Sequence, residues 1–449
     1  MMATLITNGA VVDGNGGPPE VASVLVVDGR VAALGDEAVR QAALHENQSA
    51  HAIERIDATG LTVMPGLIDA HCHLAFDDAE SNSELFFQRR NALSALVAAY
   101  NARKLLRAGV TGILDPDSTF ENMIDLRDAI NAGVTPGPRM ACGAYALITS
   151  IGGTAGRLIA DAGVTGYYMA VNSPDEIVAE VRRQIKHGAD WIKVHVTGVI
   201  PSQAHRGEVC AWSDAELRLI CDTAHDLGTP VMGHCRGADA TLRAAKAGFD
   251  LLLHATLMDE AALEAVIERK IPLVPTLTFQ ANLSDFGARV GSSPALQSLF
   301  ERELIDSADA FITAYREGVP LLTGSESGFS MVPYGHWHYR EMEVFVRYFG
   351  LTPGEAIVCG TRESARALKM EGEVGGLAPG YRADLICVDG DPTADVGILG
   401  EPGRIKRVMI EGVWQDLSPL PERQPLAGWR VASIGSQLTR DVAFKNTGE

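Results

Sequence analysis

Two histidines separated by one residue, His71 and His73, close the apolar run VMPGLIDAHCH. Alternate side chains of an extended strand share a face, so both imidazoles project the same way and can chelate one cation. Further along, ADWIKVHVTG sets Lys193 and His195 between Ile192, Val194 and Val196, and the same alternation turns the lysine and the histidine to the opposite side. An inward lysine beside cations is costly as an ammonium. It is then neutral, paired with an acid, or converted by carbon dioxide to a carbamate whose two oxygens can bridge two metals; the competing reading is a lysine that snorkels to solvent. His234 ends TPVMGH and His254 ends LLLH, and either alone is as readily a hydrogen-bonded core histidine. Taken with the first pair, they converge on a metal site. The last group is Glu326, the acid at the end of VPLLTGSESGF, where glycines let the backbone approach a ligand.

The elements that must position these groups fall into two textures. Residues 1–63 alternate β-branched runs with turns, TLITNGAVVDG and ASVLVVDGRVAALG, where Asn-Gly and Asp-Gly are hairpin signals. YRADLICVDGD and IKRVMIEGVWQD, within residues 370–417, repeat that style, so both chain ends are expected to build one small discontinuous β-sandwich domain. Between them, over 64–369, buried strands alternate with amphipathic helices, the pattern of parallel β/α units. About eight strands are expected, beginning near residues 67, 111, 139, 190, 229, 251, 272 and 320, the number that closes a TIM (β/α)8 barrel. The reading is therefore an α/β metal-binding barrel with the small β domain, followed by an irregular C-terminal extension over 418–449. In a TIM barrel functional groups stand at the C-terminal strand ends, where the histidines, Lys193 and Glu326 all fall.

Composition bounds the alternatives. The 449 residues are 46% hydrophobic and 21% charged, with a formal charge of −19, which disfavours a polyanionic partner such as nucleic acid. No stretch offers about 18 consecutive apolar residues for a membrane span, and the start lacks a signal-peptide pattern, so a cytoplasmic location is expected. Seven scattered cysteines without a CxxC pair are expected to be reduced thiols.

These motifs together resemble the amidohydrolase superfamily of metal-dependent hydrolases over nearly the whole chain. PGLIDAHCH is similar to that family's PGxIDxHxH strand, WIKVHVTG to its carboxylated-lysine strand, GHCRG and LLHAT to its later histidine strands, and GGLAPGYRADLICVDGDP to its return to the small β domain. By position the resemblance implies His71 and His73 on the more buried metal, Lys193 as a carbamate bridge, and His234 and His254 on the more exposed metal. Two divalent ions are implied, zinc first, with cobalt, manganese or iron as alternatives. The family's eighth strand ordinarily ends in an aspartate within a GTD-like turn; that residue contacts metal, takes a proton from the bridging water and passes it to the leaving nitrogen. Here GSE stands in its place, and the extra methylene displaces the carboxylate by about 1.5 Å unless the backbone withdraws. Glu326 is expected to keep the proton-shuttle role with a weaker metal contact or none.

The branch that cleaves dipeptides often reads HAHG and TGGH where this chain reads HCRG and IGGT, so Arg236 and Thr154 replace histidines. Arg236 can grip an anion through its guanidinium fork or pair with a local acid. His195 and the loop VPYGHWHYREME, which brings Tyr334, His336, Trp337 and His338, complete the candidate substrate-binding set; the loop lines an apolar pocket or serves packing or a subunit contact. The expected reaction is hydrolysis of an amide, carbamate or urea carbon–nitrogen bond, in an N-acyl or N-carbamoyl aromatic amine, by hydroxide activated between the metals. The alternatives are a mononuclear deaminase or cyclic-amide hydrolase, which Lys193 disfavours, a peptidase-like cleavage of N-acyl amino acids or dipeptides, and a non-catalytic scaffold. Expected partners are a small-molecule substrate and further copies of the chain, with neither nucleic acid nor membrane.

Overall fold

The structure is a computed structural model that describes residues 3–48, 52–78, 90–118, 121–153, 168–199, 208–421 and 438–444. Thr154 and most of the C-terminal extension, 422–437 and 445–449, lie outside the described residues.

Eight parallel segments form a closed ring. The first strand (Leu67–Asp69) pairs with Val110–Asp115, which pairs with Arg139–Cys142. The backbone amides of Asp190 and Trp191 donate to the carbonyl of Cys142, linking the third strand to the fourth (Ile192–His195). The fourth pairs with the fifth (Val231–Arg236), the fifth with the sixth (Leu251–Thr256) and the sixth with the seventh (Leu273–Val274). A parallel bridge from Leu273 to Leu321 adds the eighth segment, and the Ala70 amide donates to the Thr323 carbonyl at 2.8 Å, which closes the barrel onto its first strand. The near-continuous apolar runs of the strands follow from burial on both faces.

Several helices between strands start where the sequence supplies caps. Ser173 accepts from the Glu176 amide with Pro174 at the first helical position, and Ser213 with Glu216 forms a reciprocal capping box at the start of Asp214–His225. Leu217, Ile220, Cys221 and Ala224 of that helix are buried, the i, i+3, i+4, i+7 stripe that packs on the barrel.

Both chain ends meet in an eight-stranded sheet. Leu385–Asp389 pairs antiparallel with Leu61–Pro65 at its centre, and one face gathers Ile6, Val24, Val26, Val63, Leu385, Cys387 and Met409 into a shared core. Among the described residues the hydrogen bonding is continuous, one sheet where the sequence reading expects the stacked pair of a sandwich. Two local details also differ. Asp28-Gly29 forms the expected two-residue hairpin with positive φ at both positions, but Asn8-Gly9 lies inside the strand Ala3–Val11 as an irregularity in register. A Cβ at Gly9 would lie 2.8 Å from Val63, so the glycine serves close packing instead of a turn. The helix Gly35–Gln48, unforeseen in the β-rich reading of this region, lays Ala38 and Ala42 against Leu5, Leu25 and Ala33.

Candidate metal centre

His71 and His73 follow the first barrel strand, and both are buried. Thr276 Oγ1 lies 2.9 Å from His71 Nδ1 and itself donates to the Val274 carbonyl, so it can only accept from the imidazole. The Asp117 carbonyl oxygen lies 3.2 Å from His73 Nδ1 and likewise accepts. Both rings therefore carry their proton on Nδ1 and turn a lone pair on Nε2 inward. Those two Nε2 atoms are 3.1 Å apart. Two acceptors at that distance cannot bond each other, whereas two ligands at about 2.0–2.1 Å from one zinc ion span a similar separation. Burial, reinforced by Lys193 and neighbouring imidazoles, holds His71 well below the usual histidine range; burial, with Lys193 against the pull of Asp117, brings His73 to about 4. Neutral imidazole is the form that binds metal.

The fourth strand delivers Lys193 and His195 to the same interior, as alternation requires. They converge on Asp117, a residue the sequence reading did not single out. Lys193 Nζ lies 3.3 Å from its Oδ1 and His195 Nε2 lies 3.1 Å from its Oδ2. Burial works against the charge of Asp117, but Lys193, His195 and His73 together hold it well below the usual carboxylate range. A signal in the sequence was available: in ILDPD, Asp115 ends the second barrel strand and Asp117 follows two residues beyond, at the barrel mouth. Lys193 is 1% exposed, which removes the snorkelling alternative.

His234 ends up 2.9 Å from Glu208, which sits on the short segment after the fourth strand and is held at about 2, burial being outweighed by His234 and Arg236. The His254 ring centroid lies 4.4 Å from that of His234 and 5.3 Å from that of His71. His254 is 1% exposed, and neither ring nitrogen has a partner among the described residues. A buried imidazole with both nitrogens unmatched is costly unless something binds it. The backbone around it is strained: His254, Ala255, Leu257, Thr276 and Glu326 all have positive φ, at the ends of strands six, seven and eight. Such strain in non-glycine residues collects at functional sites.

Glu326 meets this group from the eighth strand. Its backbone is left-handed, with φ of 57°, and its amide donates a hydrogen bond to the His71 carbonyl at 2.7 Å, which ties the turn carrying the longer side chain to the first strand end. Ligand atoms of His71, His73 and Glu326 lie within 4.8 Å of one another. Burial raises Glu326 to about 7, partly offset by Arg236 and Lys193. A Cβ at Gly324 would come within 2.7 Å of the His71 Cβ, so glycine is needed where strands eight and one close.

The remaining candidates separate. Arg236 donates to both carboxylate oxygens of Glu303 at 2.6 and 2.7 Å, the local-acid alternative. Tyr334 is buried and donates to the His73 carbonyl; Trp337 is fully buried, donates to the Leu438 carbonyl at 2.7 Å and stacks on Phe286. His338 pairs with Asp69 at 2.7 Å, and His336 accepts from the Arg440 amide at 3.4 Å. The loop thus packs toward the C-terminal segment and behind the first strand, and Tyr334, His336 and His338 border a pocket shared with Lys104, Arg440 and Asp441. A separate run of aromatic contacts adjoins the histidines: Phe76 stacks 4.2 Å from His73, and Phe329, Phe279 and Phe300 follow edge to face. Sequence reading missed these because they come from separate elements.

The donor set fits divalent cations: paired inward Nε2 atoms, an orphaned imidazole and a carboxylate beside them are what such ions bind. The comparisons agree. A family model described as the amidohydrolase family matches residues 62–414. Ochratoxinase of Aspergillus niger is 26% identical over 430 residues, covering 91% of this chain and 86% of that protein. Imidazolonepropionase of Salmonella arizonae is 26% identical over 371 residues, covering 78% and 82%. A solved structure of a Xaa-Pro dipeptidase with methionine bound in its active site superposes with a TM-score of 0.78 at 28% identity, covering 92% of this chain and 100% of that one. Among the described residues no helix is long and apolar enough to cross a membrane.

Proposed function

Because this chain belongs to the amidohydrolase family, we propose that it hydrolyses a carbon–nitrogen bond of an amide, carbamate or urea with the help of two divalent cations, zinc foremost. The observation that carries this reading is the pair of inward Nε2 lone pairs 3.1 Å apart beside the unpartnered ring of His254. His71, His73, His234 and His254 would hold the cations, with Lys193 as the bridge once its Nζ is carboxylated; the bridge would then stand beside Asp117, two anions whose repulsion the cations offset. Bound there, the cations supply a water of lowered pKa and polarise the scissile carbonyl.

The chain's own residues do the rest. Thr276 and the Asp117 carbonyl fix the tautomers of the two first histidines. The Glu326 carboxylate takes a proton from the attacking water and returns it to the departing nitrogen. Phe76, Phe329, Phe279 and Phe300 seat an apolar ring and exclude water. The run of aromatic rings beside the histidines supports an N-acyl or N-carbamoyl aromatic amine as substrate, and 26% identity to ochratoxinase across most of the chain supports hydrolysis within this family. The likeness to a Xaa-Pro dipeptidase favours a second reading, cleavage of an N-acyl amino acid or dipeptide. Self-association and a cytoplasmic location complete the proposal.

Elemental analysis and a screen of anilides, carbamates, phenylureas and N-acyl amino acids test it. Two cations per chain and turnover of an aromatic amide, carbamate or urea are expected; one cation with deaminase activity, or turnover of none of the panel by metal-loaded protein, would sink it.

A further inference from the structure

Arg236 stands two residues beyond His234 at the end of the fifth barrel strand, and its charge is felt by Glu326, His254 and Glu208. It is the obvious residue to receive a substrate carboxylate. Its guanidinium is already engaged by Glu303, with Arg236 22% and Glu303 12% exposed at the side chain. Glu303 belongs to the long helix Pro294–Arg316, one turn beyond Phe300, so acid and ring share a helix face. The Arg236 guanidinium carbon lies 5.8 Å from the Phe300 ring centroid. From Phe300 the ring contacts run on: Phe279 at 6.2 Å, then Phe329 at 6.1 Å, Phe76 at 5.4 Å and His73 at 4.2 Å. A wall of aromatic contacts therefore links the candidate metal ligands to an ion pair whose net charge is zero.

We infer that Glu303 is a specificity-determining residue: by neutralising Arg236 at the end of this wall it makes the site accept a neutral aromatic group there and reject one bearing a free carboxylate. The inference deepens the reading of the reaction above and rests on it. A carboxylate entering the subsite would meet a guanidinium whose charge Glu303 already offsets through Nη2, with Glu208 and Glu326 nearby, and its desolvation would go largely uncompensated. A neutral ring meets only the phenylalanines and the face of the guanidinium.

N-acetylphenethylamine and N-acetylphenylalanine differ only by the carboxylate and make a matched pair. Calorimetry on metal-loaded Glu326→Gln protein, where turnover is slowed, measures affinity apart from catalysis. The neutral ligand is expected to bind about tenfold or more tightly than the acid. Adding Glu303→Gln is expected to raise affinity for the acid by about tenfold or more, and further adding Arg236→Gln to abolish that gain, which excludes a mere loosening of the helix. Equal or tighter binding of the acid before Glu303 is changed, no gain with Glu303→Gln, a gain that survives Arg236→Gln, or binding of neither ligand would each overturn the inference. Failure of metal-loaded wild-type protein to hydrolyse any carbon–nitrogen substrate counts against the reaction instead, and leaves the binding comparison to decide the role of Glu303.

Discussion

The ends of barrel strands six to eight and the loop 332–343 both belong to the C-terminal half of the barrel and differ in backbone strain and in how their polar groups are satisfied. The first region holds five non-glycine residues at positive φ and an imidazole with no partner for either nitrogen among the described residues. The loop has positive φ only at Gly335, and its Tyr334, Trp337 and His338 each reach a hydrogen-bond partner in the interior. Both are rich in rings and titratable groups, so composition does not tell them apart. Strain and unmet valence do: a fold retains such costs where a ligand offsets them, and satisfies everything else.

Variants can break this contrast. The largest loss is expected for His254→Ala, which removes the unpartnered imidazole: about one cation per chain by elemental analysis and about a thousandfold or more in kcat/KM. Unchanged metal content would remove His254 from the centre. Glu326→Gln should keep the cations while kcat falls about a hundredfold or more, since the amide cannot carry the proton; a full metal complement with undiminished turnover would assign the shuttle elsewhere. Thr276→Val keeps shape but removes the acceptor that holds His71 in its tautomer, and metal affinity should weaken about 10–100-fold in competition titrations with a chelator. Trp337→Phe should have the smallest effect, about 1 kcal/mol of stability read from the denaturant midpoint, with kcat/KM changed less than about twofold. A large kinetic effect at Trp337 would erase the distinction between the two regions.

Legibility follows the range of the interactions. The barrel was readable because each β/α unit declares itself within about 30–40 residues through periodicity and caps. The inward turn of Lys193 and His195 was readable for the same reason, since strand alternation is local. The partners of Lys193, His234 and Arg236 were not. Lys193 meets an acid 76 positions away, and Arg236 is neutralised by one 67 positions away; no pattern along the chain says which acid reaches which of these side chains. For the rings of the loop, type and rough location were legible and direction was not. Trp337 and Tyr334 turn inward to partners on the C-terminal segment and the first strand, and direction depends on what packs behind.

The sequence by itself determined the repeating units, the strand ends at which His71, His73, Lys193, His234, His254 and Glu326 stand, and the face to which the first pair points, because all of these are set by neighbours one to four residues apart. Only the tertiary structure decided that Leu321 and Thr323 close the ring, that the left-handed turn at Glu326 brings a longer acid into the group, that His254 is left without a partner among the described residues, and that Glu303 pairs with Arg236. Each of those depends on which distant side chain arrives at a fixed point in space, and the closing of the barrel, not any local preference, brings them there.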